Sequence, residues 1–154
     1  MKATDILSNF SPEHENILSM LHALQDNNPY NYLSNDDLRA VADYLNTTMS
    51  HVYGVASYYS MLSTAPRGRH IIRVCKSPVC SMAGSRNIID MIRTLLDIGP
   101  GDTTGDKIFT LEYTECLGQC DIAPVMMIDR ELYSALNEDS LREVLEKYKN
   151  KDSG

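Results

Sequence analysis

The sequence predicts an α+β fold in two parts: an N-terminal helical bundle over residues 1–66, then a small mixed β-sheet flanked by helices over residues 67–154. Three observations carry this reading. Up to residue 65, apolar residues recur at helical spacing between capping residues. Ala65-Pro66-Arg67-Gly68-Arg69 is the clearest linker in the chain. Beyond it, short runs rich in β-branched residues alternate with helical patterns, in the order β, α, β, β, β, α.

In the first part, Ser11-Pro12-Glu13 supplies a capping hydroxyl, a proline at the first helical position and an acid in the first turn. Ile17, Leu18, Leu21 and Leu24 follow on one face, and Asn27-Asn28-Pro29 ends the segment. Ser34 with Asp37 three residues on resembles a capping box, opening a helix that buries Leu38, Val41, Ala42 and Leu45. Thr47 or Thr48 opens a third helix, with Val52, Val55, Ala56 and Tyr59 inward. Gly54 inside it costs about 1 kcal/mol relative to Ala, which suggests close packing there.

In the second part, His70–Val74 reads as a strand running into Cys75. Ser81–Asp97 reads as one helix burying Ile88, Ile92, Leu95 and Leu96, with Gly99 past its end. Gly99–Asp106 is a loop, and Lys107–Tyr113 a second strand. Residues 125–128 and 131–133 pair as a hairpin through Asp129-Arg130. Asn137 caps a last helix with Glu138 and Asp139 at its start and Lys147 and Lys149 near its end. Leu141, Val144, Leu145 and Tyr148 face inward, and residues 150–154 fray. The opening β-α-β needs a parallel neighbour by a right-handed crossover. The later strands, close in sequence, add an antiparallel part. Thioredoxin-like folds have this shape, and such sheets place ligands at strand C-termini.

Composition narrows the function. A chain of 154 residues buries roughly 70% of its extended surface and needs no disulfide staples. With 21 acidic against 14 basic residues the net charge is −7, so the basic field of a nucleic-acid binder is missing. No run of about 20 apolar residues exists to span a membrane. Residues 1–9 hold one Lys, one Asp and no long apolar core, unlike a signal peptide, and the expected location is cytoplasmic. There, grouped cysteines are more often metal ligands than disulfides.

Four cysteines are present: Cys75 and Cys80 as C-x4-C, then Cys116 and Cys120 as C-x3-C. A 2Fe-2S cluster takes four thiolates, two on each tetrahedral iron. Each loop must bring two sulfurs together while turning the chain. Pro78 stiffens the first turn, and Gly118 can take the positive φ that the tighter second turn requires. Free backbone N–H groups in such loops can bond to sulfur. Structural zinc also takes four cysteines, and the spacing does not exclude it. Two disulfides would suit a secreted chain. A thioredoxin-type C-x-x-C is absent, and His14, His22, His51 and His70 lack Rieske spacing, so they read as ordinary surface or capping residues.

The segment Glu115-Cys116-Leu117-Gly118-Gln119-Cys120-Asp121-Ile122-Ala123-Pro124-Val125-Met126 resembles the E-C-L-G-x-C-x-x-A-P motif of the thioredoxin-like 2Fe-2S subunit of NADH-dehydrogenase modules. Such subunits occur in respiratory complex I, in NAD-linked and electron-bifurcating hydrogenases, and in NAD-dependent formate dehydrogenases. Val52-Tyr53-Gly54-Val55-Ala56-Ser57-Tyr58-Tyr59 is similar to a second segment of that family, and the likeness covers about residues 12–148. The resemblance implies a helical domain (1–66) before a thioredoxin-like cluster domain (67–154). It implies one 2Fe-2S cluster on Cys75, Cys80, Cys116 and Cys120, and single-electron exchange with a partner subunit that holds FMN, binds NADH and belongs to a larger complex. A free-standing 2Fe-2S ferredoxin shuttle and a scaffold subunit with a non-redox metal site are the alternatives.

The chain itself shows no flavin or NAD motif: no G-x-G-x-x-G follows a strand, and the glycine-rich stretch 99–105 lacks a P-loop lysine. No Ser/His/Asp set is present, so no catalytic residue is expected. Glu115 and Asp121 flank the second loop, and Arg73, Lys76 and Arg86 lie near the first; they read as solvated charges or caps. Of Met126 and Met127, alternation puts one in the core. Pro124 stands where thioredoxin-like folds often hold a cis proline.

Overall fold

The computed structural model describes residues 3–152. The chain divides into two units, residues 1–67 and 68–154.

The first unit is helical: α1 (Ala3–Leu7), a 3-10 turn (His14–Asn16), α2 (Ile17–Asp26), α3 (Asn35–Tyr44) and α4 (Met49–Tyr58). The short α1 has no counterpart in the sequence reading; it buries Ile6 and Leu7 in the same core as Met20, Leu21, Leu24, Leu38, Val41 and Val52. Helix α2 begins later than Ser11-Pro12-Glu13 suggests. Glu13 is extended, and the Ser11 hydroxyl bonds Glu13 and accepts from Asn16 instead of capping a turn. The capping box of α3 forms as read: Asp37 N–H donates to Ser34 Oγ at 3.1 Å, and Ser34 N–H to the Asp37 carboxylate at 2.9 Å. Thr48 caps α4. Two expectations on α4 fail. Tyr59 lies past its end and is exposed. Gly54 is exposed too, and a Cβ placed there would meet nothing within 4 Å, so no close packing within the chain explains it.

The second unit contains a four-stranded mixed sheet of β1 (His70–Cys75), β2 (Phe109–Thr114), β3 (Val125–Ile128) and β4 (Glu131–Ser134), in the order β2-β1-β3-β4. β1 runs parallel to β2, with Cys75 opposite Thr114, and antiparallel to β3. β3 and β4 form the expected hairpin, with Asp129 at φ +53° in the turn. Two helices, α6 (Ser85–Leu96) and α7 (Glu138–Asp152), cover one face of the sheet. That face offers Ile72, Val74, Phe109, Leu111, Met126 and Ile128 to Ile88, Ile89 and Ile92 of α6 and to Leu141, Leu145 and Tyr148 of α7. Met126 is the core methionine of its pair. Strand alternation therefore turns Cys75 to the opposite face.

Four boundaries differ from the sequence reading. The single helix expected over Ser81–Asp97 is two, α5 (Pro78–Ala83) and α6, because Gly84 takes φ +103° between them. Asp97, at φ +55°, ends α6 before Gly99 is reached. β2 starts at Phe109 rather than Lys107, since Lys107 is at φ +58° and a turn around Thr104 and Asp106 takes the N–H groups of Ile108 and Phe109. The expected fraying over 150–154 does not begin at 150: α7 runs to Asp152, while Ser153 and Gly154 lie outside the described residues. Asn137 accepts from Ser140 N–H at 2.8 Å, the cap expected for α7.

Candidate metal centre

The parallel pair β1 and β2 ends at one edge of the sheet, and both cysteine segments leave from there. Cys75 is the last residue of β1, and Lys76 N–H extends the ladder to the Thr114 carbonyl at 3.0 Å. Two residues beyond Thr114 the second pair begins.

Cys80 stands in the first turns of α5, not on the turn that Pro78 was expected to stiffen; Pro78 occupies the first helical positions instead. The helix folds Cys80 back beside Cys75. Both are buried, and together with Val125, Leu117 and Ala123 they form a small apolar cluster separate from the sheet core. Leu117 belongs to the second cysteine loop, so that loop lies over the first pair. The second loop turns at Gly118, whose φ of +76° bears out the need for glycine, and Cys120 opens a 3-10 turn (Cys120–Ile122). Gly118 N–H points to Cys116 Sγ at 3.4 Å. Beyond it the Ala123–Pro124 peptide is cis.

Cys116 and Cys120 are exposed, with their sulfurs 3.6 Å apart. Two thiolates on one tetrahedral metal, at bonds of about 2.3 Å, are about 3.8 Å apart. This pair thus already spans one edge of such a tetrahedron. Among the described residues, no three His, Cys, Asp or Glu side chains gather where one metal ion could hold them. The four thiols stand as two pairs, Cys75 with Cys80 and Cys116 with Cys120, and a two-iron cluster divides its four ligands in the same way.

The two pairs differ electrostatically. Burial pushes the Cys75 thiol up, but hydrogen bonds from the Ser77 hydroxyl and N–H, from Cys80 and from the Leu117 N–H outweigh it, leaving Cys75 below its ordinary value. Cys75 Sγ lies 3.2 Å from Ser77 Oγ. Cys120 moves the other way: its hydrogen bond with Cys116 and the charge of that neighbour raise it, with smaller contributions from burial and from the charges of Cys80 and Cys75. Two adjacent thiolates are thus disfavoured until a cation joins them. The donor set, four thiols of Cys75, Cys80, Cys116 and Cys120, fits a cationic iron–sulfur core, which these residues would hold.

Of the charged residues singled out in the sequence, Lys76 and Glu115 pair with each other, while Arg73 pairs with a neighbour on β2. Arg73 meets Glu112 across β1 and β2 at 3.5 Å, and Lys76 meets Glu115 at 2.9 Å between the two loops. His70, read as an ordinary surface or capping residue, is instead half-buried, 2.7 Å from Asp129 and against the rings of Phe109 and Tyr148. Sequence reasoning missed Ser77 and Leu117. A hydroxyl two residues after a cysteine was the available signal for the first; nothing local marks the second.

Comparison with known proteins identifies the family of the chain. Residues 3–149 match the family described as thioredoxin-like 2Fe-2S ferredoxin. The E subunit of NADH-quinone oxidoreductase from Salmonella typhimurium is 46% identical over 110 residues, covering 71% of this chain and 66% of that protein, just under two thirds of its length. The corresponding E subunit from Aquifex aeolicus is 33% identical over 147 residues, covering 96% and 91%. Among solved structures, a polypeptide of an NAD+-reducing NiFe-hydrogenase superposes with a TM-score of 0.76 at 21% identity, over 88% of this chain and 23% of that one, which shows a shared fold. The match runs through both the helical segments and the mixed sheet, and the chain belongs to the thioredoxin-like 2Fe-2S ferredoxins.

Proposed function

We propose that this chain is the electron-transfer subunit of an NADH-linked multisubunit oxidoreductase, and that it carries one 2Fe-2S cluster on Cys75, Cys80, Cys116 and Cys120. The observation that carries the reading is the meeting of two thiol pairs at the ends of two parallel strands, one pair 3.6 Å apart. The cluster supplies one-electron chemistry. The chain's own residues do the rest. Cys75 and Cys80 anchor it from a buried, apolar pocket, while Cys116 and Cys120 hold it on the exposed side. Ser77 and the N–H groups of Leu117 and Gly118 steady the thiolates. Val79, Met82 and Ile122 stay exposed beside the ligands, as a docking face would.

The partner in this reading is a cytoplasmic subunit that holds FMN and binds NADH, and the two exchange single electrons. The relatives from Salmonella typhimurium and Aquifex aeolicus, both named as subunits of an NADH-quinone oxidoreductase, support it. The helical unit then acts as a domain of its own. No helix among the described residues is long and apolar enough to cross a membrane, in keeping with contact to the membrane only through other subunits.

Anaerobic purification tests the proposal. Iron and acid-labile sulfide in equal amounts, visible absorption and an S = 1/2 EPR signal on reduction are expected. Colourless protein with stoichiometric zinc would overturn it. Co-purification from the native cell should bring down a flavoprotein; a monomer that shuttles electrons without one would point to the free-standing ferredoxin.

A further inference from the structure

We propose a second ligand site beside the cluster edge, one that takes a phosphate group. It is a cleft of about 410 Å³ whose lining includes Lys76, Gly84, Ser85, Arg86, Asn87 and Tyr113, a volume in the range of small-molecule sites. Its floor is the N-terminus of α6, a helix of 12 residues. No side chain caps that end; the residue in the cap position is Gly84, which at φ +103° has none to offer. The Gly84 N–H closes α5 and the Asn87 N–H returns to the Gly84 carbonyl, so the Ser85 and Arg86 N–H groups are the ones this end leaves to a ligand, and the helix dipole adds positive potential there.

The second observation is Ser85. It is 94% buried, at 6% exposure, it lines the cleft, and its hydroxyl makes no hydrogen bond among the described residues. Its oxygen is not sealed off by protein, so it is left for a ligand or water in the cleft to meet. Around it stand donors. Arg86 is exposed and makes no ion pair among the described residues, and Asn87 Nδ2 hangs over Gly84. Lys76 reaches the cleft but is shared with Glu115 at 2.9 Å. Asp90, the acid nearest in sequence on α6, is turned toward Arg93 at 3.8 Å. A helix N-terminus, a hydroxyl, an amide and a guanidinium converging on one space match the acceptor oxygens of a phosphate monoester or free phosphate. The half-exposed ring of Tyr113 on the far wall gives a larger ester a surface to lie on.

The experiment is calorimetric titration of the purified, cluster-loaded protein with inorganic phosphate and, in a second arm, with AMP, with chloride as control. Saturable one-to-one binding of either probe is expected, weakened about tenfold in Arg86→Gln and severalfold in Ser85→Ala. Arg86 is exposed, so its variant should keep the fold, and thermal melts of both variants check that they do. AMP binding more tightly than phosphate would mean that the natural ligand is an ester with a ring; equal or weaker binding would mean free phosphate. Absence of binding at millimolar probe, or binding unchanged in both variants, overturns the site. None of these readouts depends on the redox role, so failure here leaves the proposed function standing, and the reverse.

Discussion

Ser77 sets the surroundings of the first thiolate. Its hydroxyl lies 3.2 Å from Cys75 Sγ and, with its own N–H, brings that thiol below its ordinary value against the effect of burial. Hydrogen bonds to cluster sulfur favour the reduced, more negative state. Ser77→Ala should therefore lower the midpoint potential by a few tens of mV, the equivalent of about 1 kcal/mol in a one-electron couple. An EPR-monitored redox titration reads it; an unchanged potential would remove Ser77 from that role. Asp106 makes a separate, structural prediction. Slight burial pushes its carboxyl up, but the Thr104 hydroxyl and the Ile108 N–H bond it and leave it below the ordinary carboxylate range. A group depressed in the folded state stabilises the fold above its unfolded value and loses that contribution as pH falls through the folded one. The melting temperature of Asp106→Asn should thus lie below that of the parent at neutral pH. The gap should close as pH drops from about 4 downward.

At the scale of elements, two glycines separate what composition suggests from what packing requires. Both invite a close-approach explanation. Only Gly68 has one: a Cβ there would sit 2.6 Å from the Phe109 carbonyl carbon and 2.8 Å from Thr110 N, where the chain enters the sheet. Gly68→Ala should cost about 2 kcal/mol, as overpacking does. Gly54, inside α4, has open space around it, so Gly54→Ala should stabilise the chain by about 0.5–1 kcal/mol through helix propensity alone. Chemical denaturation of both variants gives opposite signs; a destabilised Gly54→Ala would contradict the open surface. The same contrast explains which boundaries the sequence made legible. Ser34, Thr48 and Asn137 cap their helices because a short polar side chain bonds its own next turn, which is local chemistry. The break at Gly84 and the late start of β2 were not legible, because left-handed backbone at Gly84 and Lys107 is chosen by what the flanking segments pack against.

For the molecule as a whole, the division of the apolar residues matters most. The sheet core holds none of the four cysteines; Cys75 and Cys80 sit in a small cluster of their own. Removing the cluster with a chelator under reducing conditions should leave the far-UV circular dichroism close to that of the loaded protein. Hydrogen exchange should rise mainly over residues 75–80 and 116–124. Global unfolding would show instead that the metal, not the sheet, holds this unit together.

The amino-acid sequence by itself determined the class of the fold, the helix starts that depend on a cap, the hairpin and the identity of the four thiols. Each of these rests on periodicity or on chemistry between residues a few positions apart. Tertiary structure alone decided that β1 and β2 run parallel and end together, that Leu117 closes over the first pair, and that Ser85 is buried at the floor of a cleft. Those facts join residues about 30 to 40 positions apart or turn on burial, and no local rule fixes a contact whose free energy comes from removing two distant surfaces from water together.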